Sequence, residues 1–229
     1  FLLSTAFRTP TLEELYADLT NSAIPVVGNP NLQPEKSISL DCGVHFHIRY
    51  VSLHGDVYYN TYRDLVGDTL GTFEGSPAYL KANIDDARIY GYELSLDIDP
   101  SDVLKIRSLL SYTRGEDTKN NANLGQIAPM QGTLGADYMV QKIGTVHADC
   151  DIVDNKTNLA ANETSTGGYA LYNTGFTTAS LEGFGLRFKL SAGIQNIFNR
   201  SYVNFLSTLR GNMNDEPGRN VYLSVSTNW

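Results

Sequence analysis

The feature that most constrains this chain is the length over which its side chains alternate. Residues 37–50, SISLDCGVHFHIRY, put Ile38, Leu40, Cys42, Val44, Phe46 and Ile48 on one side of an extended backbone and Ser37, Ser39, Asp41, Gly43, His45 and His47 on the other. Successive residues of a strand point to opposite faces, so the segment predicts one apolar and one polar face. The alternation persists for about 12 residues, against roughly 5 or 6 in a soluble strand. A tilted strand crossing a bilayer needs about 9–11.

The pattern recurs along the chain. It is legible in 51–66, 87–99, 104–115, 133–141, 145–155, 186–199 and 221–229. With the opening FLLSTAFR and with 169–181, whose faces the residues leave unassigned, the count is about ten strands. Short turns at 49–50, 99–102, 142–144 and 182–185 alternate with longer loops, including 67–79, 119–126, 158–168 and 201–218. A helical turn is expected only within the loop segment 11–19, TLEELYADL. The predicted fold class is all-β: an antiparallel transmembrane β-barrel. Short turns at one end and long loops at the other are the layout of an outer-membrane barrel. In hydrocarbon every backbone N–H and C=O must be paired within the protein, so a β solution has to close.

Composition agrees where it bears on this. Charged residues are only 18 %, and the 14 tyrosines favour strand over helix. Phe46, Tyr50, Tyr59, Tyr90, Tyr92, Tyr112, Tyr138 and Trp229 fall near the ends of apolar faces, as the aromatic girdles of a barrel do. A net charge of −8 excludes a broad nucleic-acid surface. No apolar run reaches the roughly 18 residues of a membrane helix. FLLSTAFR opens like the second half of a strand, with no signal-peptide pattern before it, so a fragment or processed product is expected. Cys42 and Cys150 belong to strands far apart in the meander, and no disulfide is predicted between them.

Five stretches, in order, resemble the C-terminal half of a TonB-dependent outer-membrane receptor. FRTPTLEELY (7–16) resembles that family's Phe-Arg-Ala-Pro box through Phe7, Arg8 and Pro10, with Thr9 in place of alanine. GNPNLQPEKS (28–37) resembles the Asn-Pro-Asn-Leu box through Asn29, Pro30, Asn31 and Leu32. ARIYGYELSL (87–96) is similar to a strand with a Gly-aromatic-Glu core, here Gly91 and Glu93. NIFNRSY (196–202) resembles the segment before the last loop through Asn196 and Phe198. PGRNVYLSVSTNW (217–229) resembles the closing strand, with Arg219 and the terminal aromatic Trp229.

The resemblance implies a larger object: a plugged barrel of about 22 strands, of which residues 1–229 would be the C-terminal portion. It implies uptake of an iron complex (siderophore or haem) or of cobalamin, TonB contacted through a missing N-terminal part, and an integral outer-membrane location. Long loops would be extracellular and the C-terminus periplasmic, with barrel-assembly machinery reading Trp229. Haem receptors of this family often carry a ligating His between the first two boxes. The segment here, TLEELYADLTNSAIPVVG, has none, and Tyr16 is its candidate ligand. Tyr79 and Arg210 are the other candidate ligand-binding residues, Arg210 for an anionic chelate. Arg8 and Arg219 are expected to fix loops to the rim by charge pairing. His45, His47, His54 and His147 lie in strands and are expected to be hydrogen-bonded lumen residues.

No nucleophile–base pair, phosphate-binding glycine loop or metal-ligand spacing stands out, so no enzyme and no resident cofactor or metal is expected. Two rivals stay open at this stage: a self-contained barrel of about ten strands acting as pore or adhesin, and a soluble β enzyme or binding module.

Overall fold

The computed structural model describes the chain except residues 20–24, 85, 162, 184–185, 210–213 and 229. In chain order the elements are β1 (Leu2–Arg8), α1 (Leu12–Tyr16), β2 (Asp18–Leu19), β3 (Val26–Val27), β4 (Glu35–Ile48), β5 (Val51–Arg63), β6 (Leu65–Phe73), β7 (Ser76–Ile84) and β8 (Ala87–Ser101). There follow β9 (Leu104–Asp117), β10 (Ala122–Asn123), β11 (Gln131–Val140), β12 (Gly144–Val153), β13 (Tyr169–Thr178), β14 (Leu181–Gly183), β15 (Leu186–Gln195), α2 (Phe205–Thr208) and β16 (Asn220–Asn228).

Ten long strands form one sheet in the order β1-β4-β5-β8-β9-β11-β12-β13-β15, with β16 paired to β15 and the short β10 and β14 on β9 and β15. These are the ten that the alternation predicts. Sequence neighbours pair antiparallel, as in β11 and β12 from Gln131↔Val153 to Val140↔Gly144. The register settles the faces of β13. Val146↔Phe176, Cys150↔Tyr172 and Ile152↔Ala170 share the apolar side, and Asp149↔Asn173 lies on the polar side.

What the sheet lacks is a core of its own. Among the described residues the buried apolar side chains are Leu32, Ala78, Ala87 and Phe205, none within the middle of a long strand. The apolar face is instead exposed: Val44 is 61 % accessible, Leu223 75 % and Val225 62 %. The polar face is knitted by side chains. Asp137 joins Arg107 (2.6 Å) and His147 (2.7 Å). The Asn173 amide donates to Asp149 (2.6 Å) and Asp151 (3.0 Å). A continuous exposed apolar face of this extent is incompatible with water and fits hydrocarbon.

The residues group into two units: 1–42, 58–90 and 114–125 in one, and 43–57, 91–113 and 126–229 in the other. In the first unit, 67–79 is not a loop as expected. β6 and β7 form a hairpin, Leu65↔Ile84 to Phe73↔Ser76, within a small sheet ordered β2-β3-β7-β6. Glu74 and Gly75, both at positive φ, make its turn. In the second unit the turn expected at 99–102 is displaced, because β8 continues through Pro100 to Ser101 and the chain reverses at 102–103. The helical turn of 11–19 is α1, and α2 was not foreseen. Residues 184–185 of the expected turn 182–185 lie outside the described residues.

Candidate functional site

In the first unit the long β1–β4 connection is a folded module. Thr11 begins α1 with a reciprocal cap: the Glu14 amide donates to Thr11 Oγ1 (3.2 Å), and the Thr11 amide donates to Glu14 Oε2 (2.7 Å). Arg8 then joins helix to strand. Its Nε and Nη2 donate to the two oxygens of Glu35 at 2.6 Å each, and its Nη1 and Nη2 to Glu14 at 2.9 and 3.0 Å. Glu35 also accepts the Val66 amide, 2.8 Å, reaching β6. The expected charge pairing of Arg8 at the strand end is thus present, with two carboxylates.

The Asn-Pro-Asn-Leu stretch closes the module. The Asn29 side chain accepts the Asn31 amide (3.0 Å), turning the chain at Pro30 so that Leu32 is buried. Gly28 packs against the backbone of Tyr16 and Ala17 so closely that a Cβ would lie 2.7 Å from the Tyr16 nitrogen. Asn83 of β7 holds the outgoing chain: it accepts from the Gln33 amide (2.9 Å) and donates to Gln33 O (3.0 Å). Pro10 is half-buried beside this module, and Phe7 is 77 % exposed on the apolar face.

Of the candidate binding residues, Tyr16 is 67 % exposed on α1. Tyr79 sits in β7 opposite Leu70 and beside Val26, its amide donating to Pro25 O at 2.8 Å. Tyr16 and Tyr79 thus lie on two connections, β1–β4 and β5–β8, whose strands share the small sheet β2-β3-β7-β6 of this unit. Arg210 and Trp229 lie outside the described residues.

The second unit has two loop anchors. Asn196, at φ 50, is buried: its amide donates to Asn173 Oδ1 (2.9 Å), and its side chain exchanges bonds with the Arg200 backbone at 2.7 and 2.8 Å. Asn199 accepts the Arg219 amide at 2.8 Å. Arg219 is thus held by its backbone, and among the described residues its guanidinium meets no carboxylate, contrary to the expected charge pairing. Phe198 is exposed and packs edge-on against Tyr172, ring centroids 5.2 Å apart. Gly91 and Glu93 lie in mid-β8, Glu93 on the polar face.

The other anchor was not foreseen. Lys156 is buried, donating to Ile127 O at 2.7 Å, 3.8 Å from Glu163 and 4.7 Å above the Phe205 ring. Glu163 in turn accepts the amides of Gln126 (2.6 Å) and Ala160 (2.9 Å). A Lys and a Glu seven apart in a polar loop read as solvated charge, and only the fold brings Phe205 over them. In the same unit Tyr169 and Tyr202 pack with ring centroids 4.4 Å apart and planes tilted by 43°, and burial pushes the Tyr202 hydroxyl pKa up.

The histidines have neighbours on the polar face. His47 bonds Ser52 (2.7 Å), His54 pairs with Asp56 and lies edge-on to His45, and His147 bonds Asp137 and Thr177. Among the described residues no group of three or more His, Cys, Asp or Glu is arranged to hold a metal ion. Cys42 and Cys150 are free thiols. The described loops thus carry aromatic and hydrogen-bonding groups held by side-chain and backbone bonds.

An antiparallel sheet with an exposed apolar face, a polar network opposite and ordered modules on its long connections is the wall of an outer-membrane β-barrel. The chain belongs to the TonB-dependent receptor β-barrel family: residues 3–197 match the family model for "TonB dependent receptor-like, beta-barrel". A hemin receptor of Yersinia pestis is 25 % identical over 249 residues, covering 98 % of this chain and 34 % of its own. A vitamin B12 transporter of Vibrio vulnificus is 36 % identical over 90 residues, 39 % of this chain and 13 % of its own. Among solved structures, the copper transporter OprC superposes with a TM-score of 0.81 at 21 % identity, covering 97 % of this chain and 37 % of that one. The chain spans about a third of the length of the hemin receptor and of OprC.

Proposed function

We propose that residues 1–229 are the C-terminal portion of the barrel of a TonB-dependent outer-membrane receptor that imports a metal complex: an iron siderophore, haem or cobalamin. Supporting this is one observation above all: the connections that carry the exposed Tyr16 and the strand residue Tyr79 share one small sheet, and Arg8 clamps α1 to the barrel wall. Pinned loops carrying aromatic groups bind with little ordering cost. The relatives named for hemin, vitamin B12 and copper share a metal-bearing cargo, and their greater length favours a large receptor over a self-contained pore or adhesin.

In this reading the long loops face outward and the C-terminus faces the periplasm. The apolar face contacts membrane lipid, and Trp229 stands at the periplasmic interface for the barrel-assembly machinery. TonB engages a part of the receptor that precedes this chain. The receptor performs no covalent chemistry on its cargo.

The test is binding of haem, cyanocobalamin and a panel of ferric siderophores to the purified receptor containing this chain. One of them is expected to bind, with Tyr16→Ala, Tyr79→Ala and Arg210→Ala each weakening it by about tenfold, the scale of a lost interface contact. Absence of binding to all three classes would overturn the reading.

A further inference from the structure

The basic residues of the ten long strands are distributed unevenly. Arg8, Lys105, Arg107, Arg187 and Lys189 share the polar face, as their registers with Glu35, Asp137, Gly135, Asn228 and Ser226 show. The strand cations on the apolar face are Lys36, Arg63, Arg88 and Arg114. All four stand toward the long-loop ends of adjacent strands: second in β4, last in β5, second in β8 and near the end of β9. Three of them line a groove of about 700 Å³ in the first unit, whose apolar walls include Phe7, Ile38 and Tyr59.

The groove's charges are only partly compensated. Arg88 pairs with Glu116 at 2.6 Å, and Glu116 also takes Arg114 at 3.1 Å. Asp86 adds a second carboxylate to the lining. Lys36 and Arg63 are exposed and have no carboxylate partner among the described residues. Three lining cations, with Arg114 behind them on Glu116, against the carboxylates of Asp86 and Glu116 leave an excess of positive charge in a protein whose net charge is −8. Charge on a lipid-facing strand is unfavourable in hydrocarbon and tolerated near the interface, where head groups lie.

We propose that this groove is a binding site for a phosphate-bearing membrane lipid, its phosphate held by Lys36 and Arg63 with Arg88 beside them, and an acyl chain lying along Ile38 and Tyr59. Arginine and lysine together suit phosphate, the one by its donor fork and the other as a point charge. The apolar walls select an acylated ligand over a free anion. The site rests on the outer-membrane barrel reading and is independent of which cargo the receptor imports.

The experiment is native mass spectrometry of the purified, detergent-exchanged receptor, with diphosphoryl lipid A and its dephosphorylated form as probes and inorganic phosphate as competitor. The phosphorylated probe is expected to persist as an adduct, and Lys36→Ala/Arg63→Ala to reduce it by about tenfold, two phosphate contacts being lost. That double variant leaves the Arg88–Glu116 pair intact, and retention of the compact, heat-modifiable band on a gel verifies its fold. Arg187→Ala/Lys189→Ala on the polar face is expected to change nothing. Equal adducts with both probes, an unaffected double variant, or displacement by inorganic phosphate would each overturn the proposal. Failure of cargo uptake alone would show as lost cargo binding with lipid retention unchanged.

Discussion

Arg8 and Glu35 face each other in register on β1 and β4 and join through two parallel hydrogen bonds of 2.6 Å, Nε to Oε2 and Nη2 to Oε1. Because the same guanidinium also holds Glu14, one side chain couples α1 to two strands. Lysine has no second donor in a fixed plane and would keep one carboxylate at most. Arg8 is 44 % exposed, so solvent screening puts the contribution at about 1 kcal/mol, the upper end for an exposed ion pair and below the range of buried charged hydrogen bonds. Arg8→Lys and Arg8→Ala are expected to speed hydrogen exchange of Leu12–Tyr16 by about five- to tenfold while leaving mid-β4 amides unchanged. Equal exchange in variant and parent would contradict the clamp.

The same clamp responds to acid. The Arg8 guanidinium, aided by Thr11 and opposed by burial, lowers the Glu14 carboxyl from 4.5 to about 2. A carboxylate with a depressed folded pKa stabilises the fold above its unfolded value and loses that contribution as pH falls through the folded one. The α1 module should therefore be fully clamped above about pH 5 and loosen between about 4.5 and 2. Exchange of the α1 amides, corrected for intrinsic rates, measures this. Glu14→Gln should be loose throughout and flat with pH, and a flat parent profile would refute the coupling.

Asn196 combines a conformation and a set of hydrogen bonds, which two substitutions separate. Asn196→Ala loses the side-chain bonds to Arg200 and places a Cβ residue with no polar side chain at φ 50. Asn196→Gly loses the bonds only. The alanine variant is expected to be the less stable by about 1 kcal/mol, and both below the parent by about 1–3 kcal/mol. Thermal unfolding followed on semi-native gels gives the order, and alanine at or above glycine would sink the assignment.

Lys156→Ala leaves Glu163, 6 % exposed, with its opposite charge gone. A buried pair broken on one side costs about 3–5 kcal/mol, whereas replacing both partners with neutral groups of similar shape is often tolerated. Lys156→Met/Glu163→Gln should therefore lie closer to the parent than Lys156→Ala in protease resistance of 154–168. A double variant worse than the single would reverse this account.

Deletion of Trp229 from the full-length receptor is expected to lower the amount at the cell surface by several-fold, while the molecules that assemble keep parental cargo affinity. Under the proposed reading Trp229 serves assembly and not cargo, as aromatic side chains at the interface anchor a barrel. Surface labelling alongside binding separates the two effects, and normal surface levels would count against the assignment.

The sequence by itself determined the wall. Alternation from Ile38 to Ile48 decides which face is apolar, and ten such strands with unequal connections admit few folds. It also placed α1, whose Thr11–Glu14 spacing is local chemistry. It did not disclose the β6–β7 hairpin, because Gly67, Gly71, Gly75 and Pro77 read as loop punctuation. That segment is a strand pair because it docks on β3, a non-local contact. Arg8 was legible as a pairing residue, but Glu14 and Glu35 become its partners only when β1 and β4 come into register. Lys156 and Phe205, 49 residues apart in the chain, show the same limit. Period-two burial is written into neighbouring residues. Which loop charges meet, and which basic residues gather at Phe7 and Tyr59, is decided only when strands distant in sequence lie side by side.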